Sequence, residues 1–573
     1  MKKLFAGFSF LWLACSSPPE PEQSQEQSLA EVRSQTIADR VQFVDVAAQA
    51  GITVRNVSGE LDKTSLLEAK GGGGGFFDYD NDGDLDTYVI SGSSFKSFPT
   101  GQVPSNRLYR NEGKGTFADV TTQAGVGDTS WSMGCTAADY DNDGDLDLYI
   151  TNYGANRLYR NEGDGTFADA TAQAGVGDSR WGTGAAFGDY DLDGDLDLYV
   201  ANFVQFYPDQ PPISDQFSVW RNIRVYPGPR AYAGYADVLY RNEGDGTFAD
   251  VTRQAGAIGL AAYNGFQCLF GDLDNDGYPD IYVADDTTPN LLYMNRGDGS
   301  FEDISLASGS SHSDDGLEQA GMGAALGDYD NDGDFDIFVT HFSGDYNTLY
   351  RNEGGRFFRD VSYAAGVAEA SMPAVGWGTG FFDYDNDGDL DLFVANGHVY
   401  PIIDDYDLGI SYAQRNFLFE NLGNGTFAEV ALESGSGFGV EKVSRGAAFG
   451  DYDDDGDVDI LVLNVDETPT LLRNDGGNRR HWFSLSTVGM QSNRDGIGAR
   501  ILVEAGGVRQ IREVGAGSSF LSHNDLRVHV GLGEAEKVER LEIRWPSGLV
   551  QEFSDLQADR FWVLTEGEGI QEE

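Results

Sequence analysis

The stretch from Ala185 to Asn202, Ala-Ala-Phe-Gly-Asp-Tyr-Asp-Leu-Asp-Gly-Asp-Leu-Asp-Leu-Tyr-Val-Ala-Asn, decides the fold of this chain. Its centre is the pattern Asp-x-Asp-x-Asp-Gly-x-x-Asp, and a nearly continuous apolar run follows it. The pattern occurs seven times, and successive copies start 50 to 83 residues apart. The copies begin at Asp78, Asp139, Asp189, Asp272, Asp328, Asp383 and Asp451. Repetition at this period is typical of an architecture that grows by adding supersecondary units.

Two further elements repeat together with the acidic pattern. Asn-Arg-Leu-Tyr-Arg-Asn starts at Asn106 and again at Asn156, and Gly-Thr-Phe-Ala-Asp-Val-Thr starts at Gly115. The segment Asn-Glu-Gly-Asp-Gly after Arg160 is a hairpin signal that joins two such elements. Each unit therefore contains four short strands, and the sequence predicts an all-β fold with a seven-bladed β-propeller over residues 41–474. A linear β-solenoid is the structural alternative.

The phase of the repeats predicts how the ring closes. The element Phe-x-Asp (Phe-x-Glu in the last copy) occurs seven times, and its first copy, at Phe43, precedes every acidic loop. The last unit reaches Leu471 and then departs from the repeat without such an element. An N-terminal strand is therefore predicted to complete the seventh blade, because this pairing satisfies an otherwise open sheet edge.

The acidic loops suit calcium, a hard cation that takes six to eight oxygen ligands. Positions 1, 3, 5 and 9 of each loop offer carboxylates, position 7 offers a backbone carbonyl, and Gly at position 6 permits the positive φ that wraps the chain round one point. About seven calcium ions are expected, one for each loop. The predicted ligand residues are Asp78, Asp80, Asp82, Asp84 and Asp86; Asp139, Asp141, Asp143, Asp145 and Asp147; Asp189, Asp191, Asp193, Asp195 and Asp197; Asp272, Asp274, Asp276, Tyr278 and Asp280; Asp328, Asp330, Asp332, Asp334 and Asp336; Asp383, Asp385, Asp387, Asp389 and Asp391; and Asp451, Asp453, Asp455, Asp457 and Asp459.

Electrostatics favour the same cation. Carboxylates this close repel one another by about 1–4 kcal/mol per pair, depending on the local dielectric, and a bound cation offsets that cost. Magnesium prefers a rigid octahedral site, and the loops contain no His or Cys that would suit zinc or copper. The net charge of −56 excludes nucleic acid as a partner. The alternative is that the loops are solvated acidic hairpins without a metal.

The N-terminus is predicted to direct export. Lys2 and Lys3 precede an apolar run that ends at Cys15, and the run is too short to span a bilayer. The ending Leu13-Ala14-Cys15 resembles a bacterial lipoprotein lipobox, which implies that residues 1–15 are a lipoprotein-type signal peptide with Cys15 as the acylated residue. Residues 16–40 are predicted to be a flexible tether. The expected location is the bacterial cell envelope, at the outer membrane or cell surface, with membrane contact only through the lipid. Plain secretion is the alternative.

Residues 475–573 contain further short strands, predicted at His481–Thr487, Arg500–Val503, Arg527–Leu532 and Val538–Ile543. They predict a small domain that resembles a β-sandwich. Cys135 and Cys268 occupy equivalent repeat positions and are predicted to be buried core residues rather than a disulfide.

The motifs resemble a known family. Phe187-Gly188 and Phe449-Gly450 precede acidic loops as in the FG-GAP/VCBS repeats of integrin-α-like propellers. Ser-Asn-Arg-Asp-Gly-Ile-Gly-Ala at residues 492–499 and Arg-Trp-Pro-Ser-Gly at residues 544–548 resemble the ASPIC/UnbV domain that follows such propellers. The resemblance implies an exported calcium-binding protein, often linked to adhesion or matrix.

A ligand is expected at loops that the rigid ring presents. One polar residue follows each acidic loop at the same strand end. These residues are Ser91, Asn152, Asn202, Asp285, His341, Asn396 and Asn464. They form either strand-end caps or a polar ring that binds a ligand. Two insertions, residues 203–236 and 397–415, break the repeat, and the first contains Trp220 and Arg221, which suit sugar stacking and anion binding. The simpler alternative is that both insertions pack over the mouth of the ring.

These features predict a binding or adhesion module for an extracellular glycan or protein. The alternative is an extracellular enzyme that acts on polysaccharide at the two insertions. The sequence contains no nucleophile elbow, zinc signature or dinucleotide fingerprint, and the calcium loops account for the many carboxylates, which favours the binding module.

Overall fold

The computed structural model describes residues 41–573 except 97–102, 114, 214–217, 260–262 and 516. The predicted signal peptide, the tether and Cys15 lie outside the described residues. Among the described residues, no helix is long and apolar enough to cross a membrane.

Seven four-stranded antiparallel sheets, called blades 1 to 7, occupy the part of the described chain that ends at residue 475. The second strand of a blade, such as Asp197–Asn202, is buried along its whole length because neighbouring blades cover both of its faces. The strands, blade by blade from the innermost, are Gly74–Phe77, Asp86–Val89, Arg107–Asn111 and Phe117–Asp119; Trp131–Ala138, Asp147–Tyr153, Arg157–Asn161 and Phe167–Asp169; Gly182–Gly188, Asp197–Asn202, Val238–Asn242 and Phe248–Asp250; Gly265–Gly271, Asp280–Asp285, Leu291–Asn295 and Phe301–Asp303; Ala324–Gly327, Asp336–Val339, Thr348–Asn352 and Phe358–Asp360; Gly376–Phe382, Asp391–Asn396, Phe417–Asn421 and Phe427–Glu429; and Ser444–Gly450, Asp459–Asn464, Thr470–Asp475 and Gln42–Asp45.

The ring is closed by the N-terminal strand, as predicted. Gln42–Asp45 pairs antiparallel with Thr470–Asp475, and Phe43 lies opposite Asn474. The innermost strands contact one another in order from blade 1 to blade 7, and blade 7 contacts blade 1. A linear solenoid has no such contact between its first and last units, so the alternative architecture is wrong.

A short helix or 3₁₀ turn follows the outermost strand of each blade. In blade 1, Asp119 accepts hydrogen bonds from the backbone amide and the hydroxyl of Thr121, and Gly125 ends the helix at φ 80°. The α-helices are Ala47–Ala50, Thr121–Ala124, Thr171–Ala174, Thr252–Ala255, Ser305–Ser308, Ser362–Ala365 and Ala368–Ser371. The 3₁₀ helices are Leu67–Ala69, Pro229–Ala231, Pro401–Asp405, Ala431–Glu433, Ser436–Gly439 and Gly477–Arg479.

The C-terminal part contains two four-stranded sheets. Apolar side chains of both sheets, including Phe483 and Ile543, share one core, as in a sandwich. The four predicted strands are present, and four more were not predicted, among them the amphipathic and largely exposed Val550–Gln557. The strands are His481–Val488, Val528–Gly533, Arg560–Thr565 and Ile570–Glu572 in one sheet, and Arg500–Ala505, Val508–Glu513, Lys537–Arg544 and Val550–Gln557 in the other.

A segment of the C-terminal part, residues 517–525, runs inside the ring and is called the axial segment. It contacts the innermost strand of every blade. The contacts are Phe76 N to His523 O in blade 1, Cys135 N to Leu521 O in blade 2, Gly517 against Ala186 in blade 3, Leu521 N to Gln267 Oε1 in blade 4, Ser519 N to Ala324 O in blade 5, Thr379 N to Ser519 Oγ in blade 6, and Asp525 N to Phe449 O in blade 7. The centre of this propeller is therefore filled by its own chain.

Candidate metal centres

The acidic loops, numbered with their blades, share one backbone geometry. In loop 3, the carboxylate of Asp189 accepts hydrogen bonds from the backbone amides of Asp193 and Gly194, both at 3.1 Å. Gly194 has φ 94°, and the equivalent glycines of the other loops have φ between 90° and 99°. The position-1 carboxylate therefore closes each loop around a point, and Gly at position 6 supplies the turn as predicted.

Position 9 anchors each loop to its blade. In loop 1, the buried carboxylate of Asp86 accepts hydrogen bonds from the backbone amide of Tyr79 at 3.0 Å and from that of Asn111 at 2.7 Å. The same pair of contacts recurs in every loop. Each position-9 oxygen thus has a structural contact in addition to any metal it binds.

Position 3 differs, because one of its oxygens is buried without a hydrogen-bond partner among the described residues. This holds in six of the seven loops. The atoms are Oδ1 of Asp80, Asp141, Asp191, Asp274, Asp330 and Asp453. A buried carboxylate oxygen without a partner costs free energy, and a bound cation would offset that cost.

The loop carboxylates converge closely enough to share an ion. Ligand oxygens of three Asp residues lie within 4.8 Å of one another in each cluster. Positions 1, 3 and 5 converge in loops 1, 4 and 5, whereas positions 1, 3 and 9 converge in loops 2 and 3. A donor set made only of oxygen fits calcium and does not favour zinc or copper.

Burial disfavours the charged form of the loop carboxylates when no cation is bound. Burial raises the pKa of Asp139 to about 7, with Asp495 adding to the effect. It also raises the pKa of Asp86 to about 8 and that of Asp336 to about 9. A bound cation would stabilise the charged carboxylates that burial disfavours.

Neighbouring loops are joined by a feature that we did not predict. Asn142, at position 4 of loop 2, has φ 57° and donates a hydrogen bond to the position-7 carboxylate of Asp195 at 3.0 Å. Equivalent asparagines link other adjacent loops, whereas Leu192 interrupts the series after loop 3. All seven position-4 residues have a positive φ. The recurrence of Asn at position 4 was the sequence pattern from which these links between loops could have been predicted.

The C-terminal part covers several of the loops. Asp495 accepts a hydrogen bond from the backbone amide of Asp139 at 2.8 Å. The guanidinium of Arg527 lies 2.8 Å from the carboxylate of Asp454 in loop 7, and Arg500 donates to the backbone carbonyl of Asp272 in loop 4 at 3.2 Å. The metal loops and the C-terminal sheets therefore share an interface.

The residues of the predicted polar ring lie at the ends of the second strands that are opposite the acidic loops. Each of them is no more than 2% exposed. The side-chain amides of its four asparagines donate to nearby backbone carbonyls, as strand-end caps do. Asn152 donates to the carbonyl of Ala155 at 2.9 Å, and Asn464 donates to that of Thr468 at 2.9 Å. The two oxygens of Asp285 have no partner among the described residues, and burial raises the pKa of Asp285 well above its usual range. A ligand-binding role for this ring stays a prediction.

The two insertions meet over the mouth of the ring. Tyr226 donates to the carbonyl of Val399 at 2.7 Å, and its ring centroid lies 4.8 Å from that of Tyr400. Phe206 is buried among aromatic side chains of the same cluster. Both insertions thus pack over the ring. At the tip of the first, Ile223 is buried and Trp220 packs against the ring of Phe342, whereas Arg221 and Asn222 are exposed. There Trp220 and Ile223 face each other across a tight hairpin, and the guanidinium of Arg221 lies 4.8 Å from the ring centroid of Trp220.

Two buried cationic side chains lie beneath the insertions, and no sequence pattern predicted them. The ammonium of Lys70 lies 3.2 Å from the carboxylate of Asp286. The guanidinium of Arg445 stacks 4.0 Å from the centroid of Trp377 and donates to backbone carbonyls, including that of Gly397 at 2.9 Å. The contacts of Arg445 tie blades 6 and 7 to the second insertion.

A His–carboxylate pair near Arg221 would favour the alternative function, an enzyme with its site at the insertions. His398 lies close, with its ring 4.9 Å from that of Trp220. Burial lowers the pKa of His398 to about 3, and the charged groups that act on it are Arg445 and Arg221. Its Nε2 has no hydrogen-bond partner in the described part of the chain. The described residues therefore contain no such pair at His398.

Comparison with protein families supports the repeat architecture. The family described as FG-GAP-like repeat matches residues 78–150, 139–200, 231–283, 272–339 and 328–394, which together cover half of the chain. The family described as ASPIC and UnbV matches residues 489–571.

Known proteins are similar over part of their length. Cartilage acidic protein 1 of Xenopus tropicalis is 27% identical over 311 residues, and the human protein is 26% identical over 304 residues. The matched regions are 52% and 51% of this chain and 44% and 43% of those proteins, so the chain spans less than half the length of the relatives it matches. A solved lectin of Agrocybe aegerita aligns with 63% of this chain and 82% of its own, at 16% identity and a TM-score of 0.36.

Proposed function

The chain belongs to the FG-GAP-like repeat family and carries an ASPIC and UnbV domain, and we propose that it is an exported, calcium-stabilised propeller scaffold that binds an extracellular glycan or protein. The observation that carries calcium binding is the buried position-3 oxygen that lacks a partner among the described residues in six loops. In all seven loops, the position-1 carboxylate accepts hydrogen bonds from the backbone amides of positions 5 and 6.

The tip of the first insertion is the proposed ligand contact. Arg221 has φ 46° and Asn222 has φ 66°, so the two form a two-residue turn of the type that Gly and Asn usually occupy. An arginine in this conformation costs about 1–2 kcal/mol, and such strain is often retained where a side chain must be presented. Arg221 is exposed beside Val219, which is 57% exposed. An exposed cation and an aromatic ring on an anionic chain suit an anionic sugar or an acidic peptide.

The proposed function is tested on the full chain in saturating calcium, with a glycan and matrix-protein array. We expect at least one ligand class to bind saturably, and Trp220→Ala and Arg221→Ala each to weaken binding about tenfold or more. Arg253→Ala is the matched control, because Arg253 is an exposed arginine on the outer helix of blade 3. Equal loss in all three variants, or no saturable ligand, would count against a binding site at the insertion tip.

Export through a lipid anchor is part of the proposal and rests on the apolar run that ends at Cys15. We expect the chain in the membrane fraction of a bacterial host, and Cys15→Ser to release it or to block its processing. Membrane retention with unchanged processing of the Cys15→Ser variant would exclude Cys15 as the anchor, whereas a wild-type chain outside the membrane fraction would favour plain secretion.

A further inference from the structure

A cavity of about 230 Å³ lies where the C-terminal part meets the loop-bearing face of the propeller. Its propeller side includes Phe270, Phe381 and Phe449, each two residues before the first Asp of a metal loop. Its C-terminal side includes Arg512, Glu513 and His529. The volume holds about seven waters at ~30 Å³ each, or one small organic molecule.

Three polar atoms of the cavity residues are buried without a hydrogen-bond partner among the described residues: Glu513 Oε2, His529 Nδ1 and Arg512 Nε. His529 Nε2 lies 2.7 Å from Asn386 Oδ1, while the amide nitrogen of Asn386 donates to the carbonyl of Gly456. Nε2 therefore carries the proton, and Nδ1 of the neutral ring is an acceptor. The cavity residues thus offer two acceptors and one donor.

Asp525 and the terminal nitrogens of Arg512, which also belong to the C-terminal lining, already have hydrogen-bond partners. Both carboxylate oxygens of Asp525 accept hydrogen bonds from Arg527, at 3.0 Å from its backbone amide and at 2.7 Å from its Nε. The terminal nitrogens of Arg512 donate to the carbonyl of Ile511 at 2.8 Å and to Oε1 of Gln510 at 2.7 Å, which leaves Nε. One carboxylate and one guanidinium therefore each retain an unused hydrogen-bonding atom at the cavity.

We propose that this cavity binds a zwitterion of the size of one α-amino acid. Its ammonium pairs with Glu513 and His529, its carboxylate accepts from Arg512, and its side chain contacts the three phenylalanine rings. A ligand with only a negative charge would leave Glu513 Oε2 without a hydrogen-bond donor. A ligand with only a positive charge would leave Arg512 Nε without an acceptor, and a buried polar atom without a hydrogen bond costs free energy.

Calorimetric titration of the full chain in saturating calcium tests the proposal. The probes are L-alanine, L-leucine and L-phenylalanine, with isovalerate and isopentylamine as analogues of leucine that lack one of its two charges. We expect saturable 1:1 binding of at least one amino acid, about tenfold or more tighter than either analogue. Glu513→Gln and Arg512→Lys should each weaken that binding about tenfold or more, whereas Glu539→Gln, an exposed carboxylate of the same domain, should leave it unchanged.

Three outcomes of the binding experiments would overturn the proposal. The first is that none of the amino acids binds saturably. The second is that an analogue binds as tightly as leucine. The third is that variants with the wild-type melting temperature also have the wild-type affinity. Using two cavity variants keeps the test decisive if one of them folds poorly. A crystal structure grown with the best-binding amino acid that contains only water in the cavity would also overturn it.

Discussion

The side-chain amide of Asn111 in blade 1 donates a hydrogen bond to the backbone carbonyl of Tyr452 in blade 7, at 2.8 Å. The same bond joins every other pair of neighbouring blades, at 2.8–2.9 Å. The remaining donors are Asn161, Asn242, Asn295, Asn352, Asn421 and Asn474, and their acceptors are Tyr79, Tyr140, Tyr190, Leu273, Tyr329 and Tyr384. The junction between the first and last blades therefore has the same hydrogen bond between blades as the other junctions of the ring.

Calcium removal should destabilise the chain. A site occupied at a hundredfold its dissociation constant contributes about 2.7 kcal/mol, so loss of several sites should lower the melting temperature clearly. The measurement is thermal unfolding with excess calcium and with excess EGTA. Excess magnesium added with the EGTA is the control and should restore little stability, because magnesium does not suit these sites. Identical melting curves in calcium and EGTA would exclude a stabilising calcium site.

Asp191→Asn should change stability with opposite sign in the two conditions. With calcium, the variant loses a ligand at position 3 of loop 3, so the melting temperature should fall. With EGTA, removal of the charge relieves repulsion from Asp193, so the melting temperature should stay equal or rise. Asp315→Asn, at an exposed turn outside the seven acidic loops, is the control and should show no such reversal. A fall of equal size in both conditions would mean that Asp191 has a structural role without a metal.

Truncation of the N-terminal strand should loosen a distant blade. Phe43 is fully buried, with its ring centroid 5.4 Å from that of Phe438, so deletion of residues 42–52 opens the outer edge of blade 7. Hydrogen exchange should lose protection over residues 461–474. Phe43→Ala should act in the same direction and cost about 3–5 kcal/mol, while Gln42→Ala, at a half-buried position, should have little effect. Unchanged protection over residues 461–474 in the truncated chain would contradict a closed ring.

Gly73→Ala should displace the axial segment. A Cβ at residue 73 would lie 1.7 Å from the carbonyl oxygen of Leu521, which the backbone cannot accommodate without moving. Limited proteolysis should then cleave within residues 515–525 faster than in the wild type. Gly439→Ala is the matched control, because no atom lies within 4 Å of the added carbon. Equal cleavage rates in the two variants would mean that the axial segment tolerates loss of this contact.

Glu566 should contribute to stability above its unfolded pKa. Burial alone would raise the pKa of Glu566, but hydrogen bonds from the Ser547 hydroxyl and from the backbone amides of residues 490–492 outweigh it and lower the pKa to about 2. A depressed folded pKa means that this stability is present above the unfolded value of 4.5 and is lost as pH falls towards 2.

Glu566→Gln should therefore lower stability at pH 7 by about 1.5–3 kcal/mol, the usual contribution of hydrogen bonds to a charged group. Its stability should also depend less on pH between 4.5 and 2, as measured by urea unfolding at several pH values. Glu568→Gln, on an exposed neighbouring turn, is the control. A wild-type pH profile in the Glu566→Gln variant would show that another group causes the acid sensitivity.

The amino-acid sequence by itself determined the fold class, the ring of blades and the closing strand. Each of these follows from a local pattern that repeats, and the spare copy at Phe43 follows from counting the copies. The positive φ at position 6 was also predictable, because Gly recurs where the loop must turn. These features need only the chemistry of a few consecutive residues, repeated seven times.

Only the tertiary structure decided the rest. The passage of residues 517–525 through the ring, the contact between Asp495 and Asp139, and the cavity beside Glu513 all join segments far apart in the chain that occur once. No repeated pattern marks them, because they depend on how two sheets and a ring pack together. The burial of Asn152 and its equivalents was undecidable from sequence for the same reason. A polar residue at a strand end either caps the strand or faces a ligand, and the packing of the insertions above it determines its exposure.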